Sequence, residues 1–229
     1  MRSAVSLLDR LAPRKQPGEL APRFDIDGTR RPNGAPVAVG DPVFATKALR
    51  KFLATLTSRP SPILLDLGPV VGSNVSFFGE QLGCKIFVED IFADLDRHAR
   101  EGKLDGLPRF LQKRFPQAAG TFDGILSWDL FDYLDKAAAQ ALACELMRLL
   151  RPDGALLGFF GTGQTRDTRY TKFVIVDDVN LRHRSYPAAR GRQTALLNRD
   201  IIKLFAGLRV SESFLLQNNL REILFRKTG

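Results

Sequence analysis

The residues best suited to chemistry fall in three short stretches. Asp66-Leu67-Gly68 leads through Pro69-Val70-Val71 to Gly72, Glu89-Asp90 closes a second apolar run, and Ser127-Trp128-Asp129 closes a third. The first stretch follows Ile63-Leu64-Leu65, which reads as a buried parallel strand, a continuous apolar run bounded by turn residues. Glycine at the carboxyl end of such a strand lets a ligand approach the backbone closely, at the edge where open α/β sheets bind ligands. A nucleoside-containing cofactor is the expected occupant.

Other residue types carry less. His98 and His183 are the only histidines, and neither sits in a metal-ligand pattern, so no metal site is expected. Asp177-Asp178 with His183 would make a poor cation site and reads better as strand-end solvation. No Ser-His-Asp or Cys-His arrangement stands out. Arg182, Arg184, Arg190 and Arg192 with Tyr186 form an Arg-rich loop that either grips a phosphate or carboxylate or is simply solvated surface.

These stretches need elements to position them. A helix is expected from Asp41-Pro42, with proline at its first position and Phe44, Ala48, Leu49, Phe52, Leu53 and Leu56 at helical spacing. Helical patterns also cover Val75–Leu82, Ile91–Arg100, Arg109–Phe115 and, most clearly, Lys136–Leu150. Strands are expected at Cys84–Val88, Phe122–Ser127, Ala155–Phe160 and Tyr170–Asp177. A last helix ends at Phe205, and Val210–Leu216 with Arg221–Phe225 form an antiparallel hairpin. Strands alternating with helices predict an α/β fold with a doubly wound, mainly parallel sheet.

The 229 residues suit one domain, with residues 1–40 read as a flexible, basic, Pro-rich arm. No apolar run is long enough to span a membrane, and none resembles a signal peptide. Cys84 and Cys144 both read as buried thiols, which makes a reduced, cytoplasmic setting the default. The net charge is +9, and residues from Arg166 onward hold 13 Lys or Arg against 6 Asp or Glu. That section would face nucleic acid or an anionic substrate, or be an ordinary solvated surface.

In order and spacing, residues 41–229 resemble the class I S-adenosylmethionine-dependent methyltransferases. The resemblance rests on Leu65-Asp66-Leu67-Gly68 with Gly72, the acids after the second strand, Phe122-Asp123-Gly124-Ile125-Leu126, Leu149-Leu150-Arg151-Pro152-Asp153-Gly154, and the closing hairpin. It implies a Rossmann-like seven-stranded sheet, S-adenosylmethionine as cofactor and an unidentified methyl acceptor entering past residues 161–192. It places Asp66, Gly68, Gly72 and Ser127 at the cofactor, with Asp66 near its amino group. Asp90, or alternatively Glu89, would hold the ribose hydroxyls. Trp128 would flank cofactor or substrate, or lie in the core. Asp129 would orient a nucleophile or take its proton, or cap a helix.

The sequence departs from the family pattern twice. Pro69 and Val70 replace the usual central glycine of the turn, and a nicotinamide fingerprint would further need glycine at Val70 and Ser73. Leu107–Pro116 looks helical where the family often has a third strand, so no adenine-binding acid is assigned. A non-catalytic module with the same fold, binding S-adenosylmethionine or nucleic acid, is the alternative reading.

Overall fold

The structure, a computed structural model, describes residues 40–163, 168–193 and 195–229. The expected arm at residues 1–40 lies outside them but for Gly40. From Val39 onward the chain forms one compact unit. Its elements run β1 (Val43–Ala45), α1 (Leu49–Thr57), β2 (Ile63–Asp66), α2 (Gly72–Ser76), β3 (Lys85–Val88), α3 (Ile91–Arg100) and α4 (Leu107–Leu111). They continue with β4 (Phe122–Trp128), α5 (Lys136–Leu149), β5 (Leu150–Gly161), β6 (Arg169–Ile175), β7 (Asn180–Pro187), α6 (Asn198–Leu204), β8 (Arg209–Leu215) and β9 (Leu220–Arg226).

The central sheet has six strands in the order β3-β2-β4-β5-β9-β8. The first four are parallel, and β9 and β8 add the antiparallel hairpin. β4 is buried at every residue, as a central parallel strand covered on both faces must be. One apolar cluster packs α3, α4, α5 and α6 on one face of the sheet, and a second packs α1 and Phe78 on the other. The α/β, mainly parallel, doubly wound class therefore holds.

The strand count does not. Among the described residues six strands stand where seven were expected, because Leu104–Gly106 forms a 3-10 turn and α4 follows it in the stretch where a third strand would run. A separate antiparallel sheet, β1-β7-β6, holds the remaining three strands. Its first strand corrects the helix expected from Asp41. Val43, Phe44 and Ala45 pair with Arg182, Leu181 and Asn180, so tertiary pairing outweighs the proline signal and the helix starts at Leu49. Glu222, fully buried on β9, holds that junction by accepting from the Thr46 hydroxyl and from the Lys47 amide at 2.8 Å.

Much of the expected Arg-rich loop is β7, paired along its length with β6. The turn Pro152-Asp153-Gly154 is a bulge inside β5. Phe122 pairs with Leu150 and Gly124 with Ala155, and Asp153 takes a φ of +61°. Cys84 is buried as expected, but Cys144 is exposed on α5, whose buried face carries Leu142, Leu146 and Leu149 instead.

Gly124 is the tightest contact between β4 and α1: a Cβ there would lie 2.7 Å from Leu56 Cδ2 and 2.9 Å from Phe52 Cζ. Both neighbours are fully buried and have nowhere to retreat. Gly124→Ala should lower the unfolding free energy by about 1–3 kcal/mol, the usual cost of overpacking. Urea denaturation of both proteins measures it, and an unchanged midpoint would contradict this packing.

Candidate functional site

The order of the central sheet reverses between β2 and β4, since the chain moves outward from β2 to β3 and returns to the other side for β4. Such a switch point opens a crevice at the carboxyl ends of the two strands. Asp66 ends β2 and Trp128 ends β4, with Asp129 next. Parallel pairing of Asp66 with Leu126 brings both ends to the same edge.

Asp66 is buried, and its Oδ1 accepts the Gly68 amide at 2.9 Å and the Trp128 indole Nε1–H at 2.6 Å. Burial pushes its carboxyl up to about 6, against the pull of those two donors. Gly68 is required here for a reason the sequence did not show. A Cβ at Gly68 would stand 2.8 Å from the Trp128 ring, so glycine makes room for the indole. Trp128 is 3% exposed and nearly parallel to Phe173 and Phe159, with centroids 5.2 and 6.2 Å away. Of its two readings, the ring takes the core position, while its polar edge holds Asp66. Its φ of +49° is unusual for so bulky a residue.

Asp129 is fully buried. Its Oδ2 accepts Arg192 Nη2–H at 2.6 Å, while Asp132 accepts Arg192 Nη1–H at 2.7 Å and the Gly161 amide at 2.8 Å. Burial pushes the Asp129 carboxyl up to about 7 and that of Asp132 up to about 6, with Arg192 opposing both. Among the described residues, Asp129 Oδ1 and the Tyr186 hydroxyl are buried without a hydrogen-bond partner. The Tyr186 hydroxyl is raised first by burial, then by Asp90 and Asp129. Buried polar atoms left unpaired cost free energy.

The remaining expected residues lie around this centre. Asp90 caps α3, its Oδ1 accepting the Ala93 amide at 2.9 Å. Its carboxyl is raised by burial, with Lys172 pulling the other way. Glu89 is engaged by Arg114 at 2.8 Å. Ser127 is fully buried, and its hydroxyl donates to the Leu157 carbonyl at 3.3 Å, inside the sheet rather than towards the crevice. Gly72 opens α2; its φ is ordinary and a Cβ there would meet nothing within 4 Å.

Two residues the sequence reading passed over tie the site together. Asn74, 3% exposed, clamps β6 to the turn: its Nδ2 donates to the Phe173 carbonyl at 2.8 Å and its Oδ1 accepts the Ile175 amide at 2.9 Å. Asp132 shares Arg192 with Asp129. Its spacing, three residues after Asp129 beyond a strand end, was the available signal. Among the described residues, no group of His, Cys, Asp and Glu could hold a metal ion. No helix among them is long and apolar enough to cross a membrane. A cavity of about 630 Å³ lies between the start of α5 and α6. A smaller one of about 350 Å³ adjoins the glycine turn.

No protein-family model matches this chain, and no curated protein matches its sequence. Solved structures do match in shape. The cyclase SpnF superposes with a TM-score of 0.50 at 12% identity, over 84% of this chain and 89% of that one. A 1,6-didemethyltoxoflavin-N1-methyltransferase from Burkholderia thailandensis, solved with S-adenosylhomocysteine, gives 0.47 at 16% identity, over 80% and 79%. A SAM dependent methyltransferase from Aquifex aeolicus gives 0.44 at 14%, over 78% and 88%. At such identities the likeness is one of fold. The architecture is the Rossmann-like one that the sequence resemblance implied.

Asp66 binds a proton in the folded protein up to about pH 6, but in the unfolded chain only up to about 4. A raised acid favours the folded state at low pH and loses that contribution as pH rises through this window. Wild-type stability should therefore fall relative to Asp66→Asn between about pH 4 and 6, and run parallel to it above. Urea titrations across that range measure the difference, and a flat difference would contradict the buried placement of Asp66.

Proposed function

We propose that this protein is an S-adenosylmethionine-dependent methyltransferase whose cofactor lies at the β2–β4 switch point. The observation that carries the reading is the set of buried, incompletely paired acids at that point. Asp129 and Asp132 share the single guanidinium of Arg192, and Asp129 Oδ1 has no partner among the described residues. A buried, net negative site with an open acceptor suits a ligand with a cationic centre. The cofactor, when bound, supplies an electrophilic methyl group on a positively charged sulfur.

The chain's own residues then divide the work. Asp66, fixed by Gly68 and Trp128 through Oδ1, would take the cofactor's ammonium group on its other oxygen. Glu89 is occupied by Arg114, which leaves Asp90 as the carboxylate for the ribose hydroxyls. Asp129 Oδ1 would accept a proton from the nucleophile, and a carboxyl lifted to about 7 is matched to that task near neutral pH. Arg192 holds Asp129 in place for it. The rest of the catalysis would be positioning of an in-line transfer.

Calorimetric titration with S-adenosylmethionine tests the proposal. Saturable single-site binding is expected, weakened at least tenfold, about 1.4 kcal/mol, in Asp66→Asn. A folded sample that releases no heat at millimolar cofactor would end the proposal.

A further inference from the structure

The cavity of about 350 Å³ beside the glycine turn has two unlike walls. One is the backbone of residues 70–73. The other is a face of the β6–β7 pair carrying Lys172, Arg182 and Arg184. Cross-strand register puts Lys172 opposite Arg184, and Val174 opposite Arg182, so the three cations are held on one face. Like charges directly opposite on a sheet oppose folding rather than support it. Only Arg184 has a carboxylate partner among the described residues, Asp41 at 2.8 Å, and both ends of that pair are exposed, which makes it weak.

The groove is also held in shape. Asn74 bonds the turn to β6 through both of its side-chain polar groups. The Lys172 ammonium lies 5.0 Å from the centre of the Tyr186 ring, which restrains its stem. Neither backbone conformation nor packing requires glycine at position 72, and its missing side chain leaves space in the groove. The turn that lines the groove follows directly on Asp66 and Gly68, which ties the groove to the end of β2.

We infer that this groove binds a phosphorylated small molecule, its phosphate held by Lys172, Arg182 and Arg184. Guanidinium forks match phosphate oxygens in pairs, and three cations against one exposed carboxylate suit a multiply charged anion. The volume is that of a small-ligand pocket rather than of a polymer track. That this molecule is the methyl acceptor rests on the methyltransferase reading; the anion site itself does not.

The test is calorimetric titration with inorganic pyrophosphate at constant ionic strength, alongside a separate titration with S-adenosylmethionine. Saturable pyrophosphate binding is expected. It should weaken at least tenfold in Lys172→Ala combined with Arg182→Ala, while affinity for S-adenosylmethionine changes less than twofold. Lys172→Gln with Arg182→Gln, which keeps longer side chains, should show the same loss at an unchanged melting temperature. No saturable binding, or equal binding by the variants, overturns the inference. A single-stranded oligonucleotide that binds more tightly than pyrophosphate and loses affinity in the same variants overturns it in favour of nucleic acid. Pyrophosphate binding as expected with no response to S-adenosylmethionine leaves the anion site standing and removes only the methyltransferase reading.

Discussion

Three carboxylates, those of Asp66, Asp129 and Asp132, lie buried at the carboxyl ends of two neighbouring parallel strands, and Arg192 pairs with two of them. Taking a carboxylate out of water is costly unless donors replace the water. Each acid is met differently. Asp66 takes one backbone amide and one indole, Asp132 takes Arg192 and the Gly161 amide, and Asp129 takes Arg192 on one oxygen and nothing on the other. Closure of the chain over the crevice follows from this. The segment after β7 crosses back so that Arg192 reaches the acids, and Tyr133 braces that guanidinium at 3.2 Å.

Trp128 shows what holding Asp66 costs. A left-handed backbone at a bulky residue costs on the order of 1–3 kcal/mol. The parallel packing on Phe173 and Phe159 and the bond to a buried carboxylate offset it. Two of these partners come from other parts of the chain, β5 and β6, so the strained conformation holds only when the second sheet is docked. Asn74 secures that docking from the turn side. Turn, aromatic cluster and second sheet thus depend on one another, and removing any one would free Asp66.

The sequence disclosed most of the central fold because its signals are local and periodic. β4 and α5 are the clearest cases: a buried apolar run, and an alanine- and leucine-rich helix whose Asp135 cap binds the Ala138 amide. It disclosed less where pairing is long-range. β1 exists only because β7 lies beside it, about 140 residues away, and Arg182 and Arg184 read as loop residues for the same reason. Within the site, residue types were legible and partnerships were not. Gly68 announced itself as room for a ligand, whereas the close contact belongs to Trp128. Arg192 was one arginine among several, and nothing in its neighbourhood pointed to acids some 60 residues earlier.

The fold alone does not choose the chemistry. The charge arrangement goes further. Asp66, Asp129 and Asp132 outnumber Arg192 in the crevice, whereas Lys172, Arg182 and Arg184 line the groove beside the glycine turn. An anionic group would be repelled by the acids and held by the groove, while a cationic centre would find its complement among the acids. A ligand pair with those two charges would be oriented before any contact specific to its shape. If the proposed methyl transfer holds, which needs a nucleophile in line with a cationic electrophile, this polarity would supply part of the positioning.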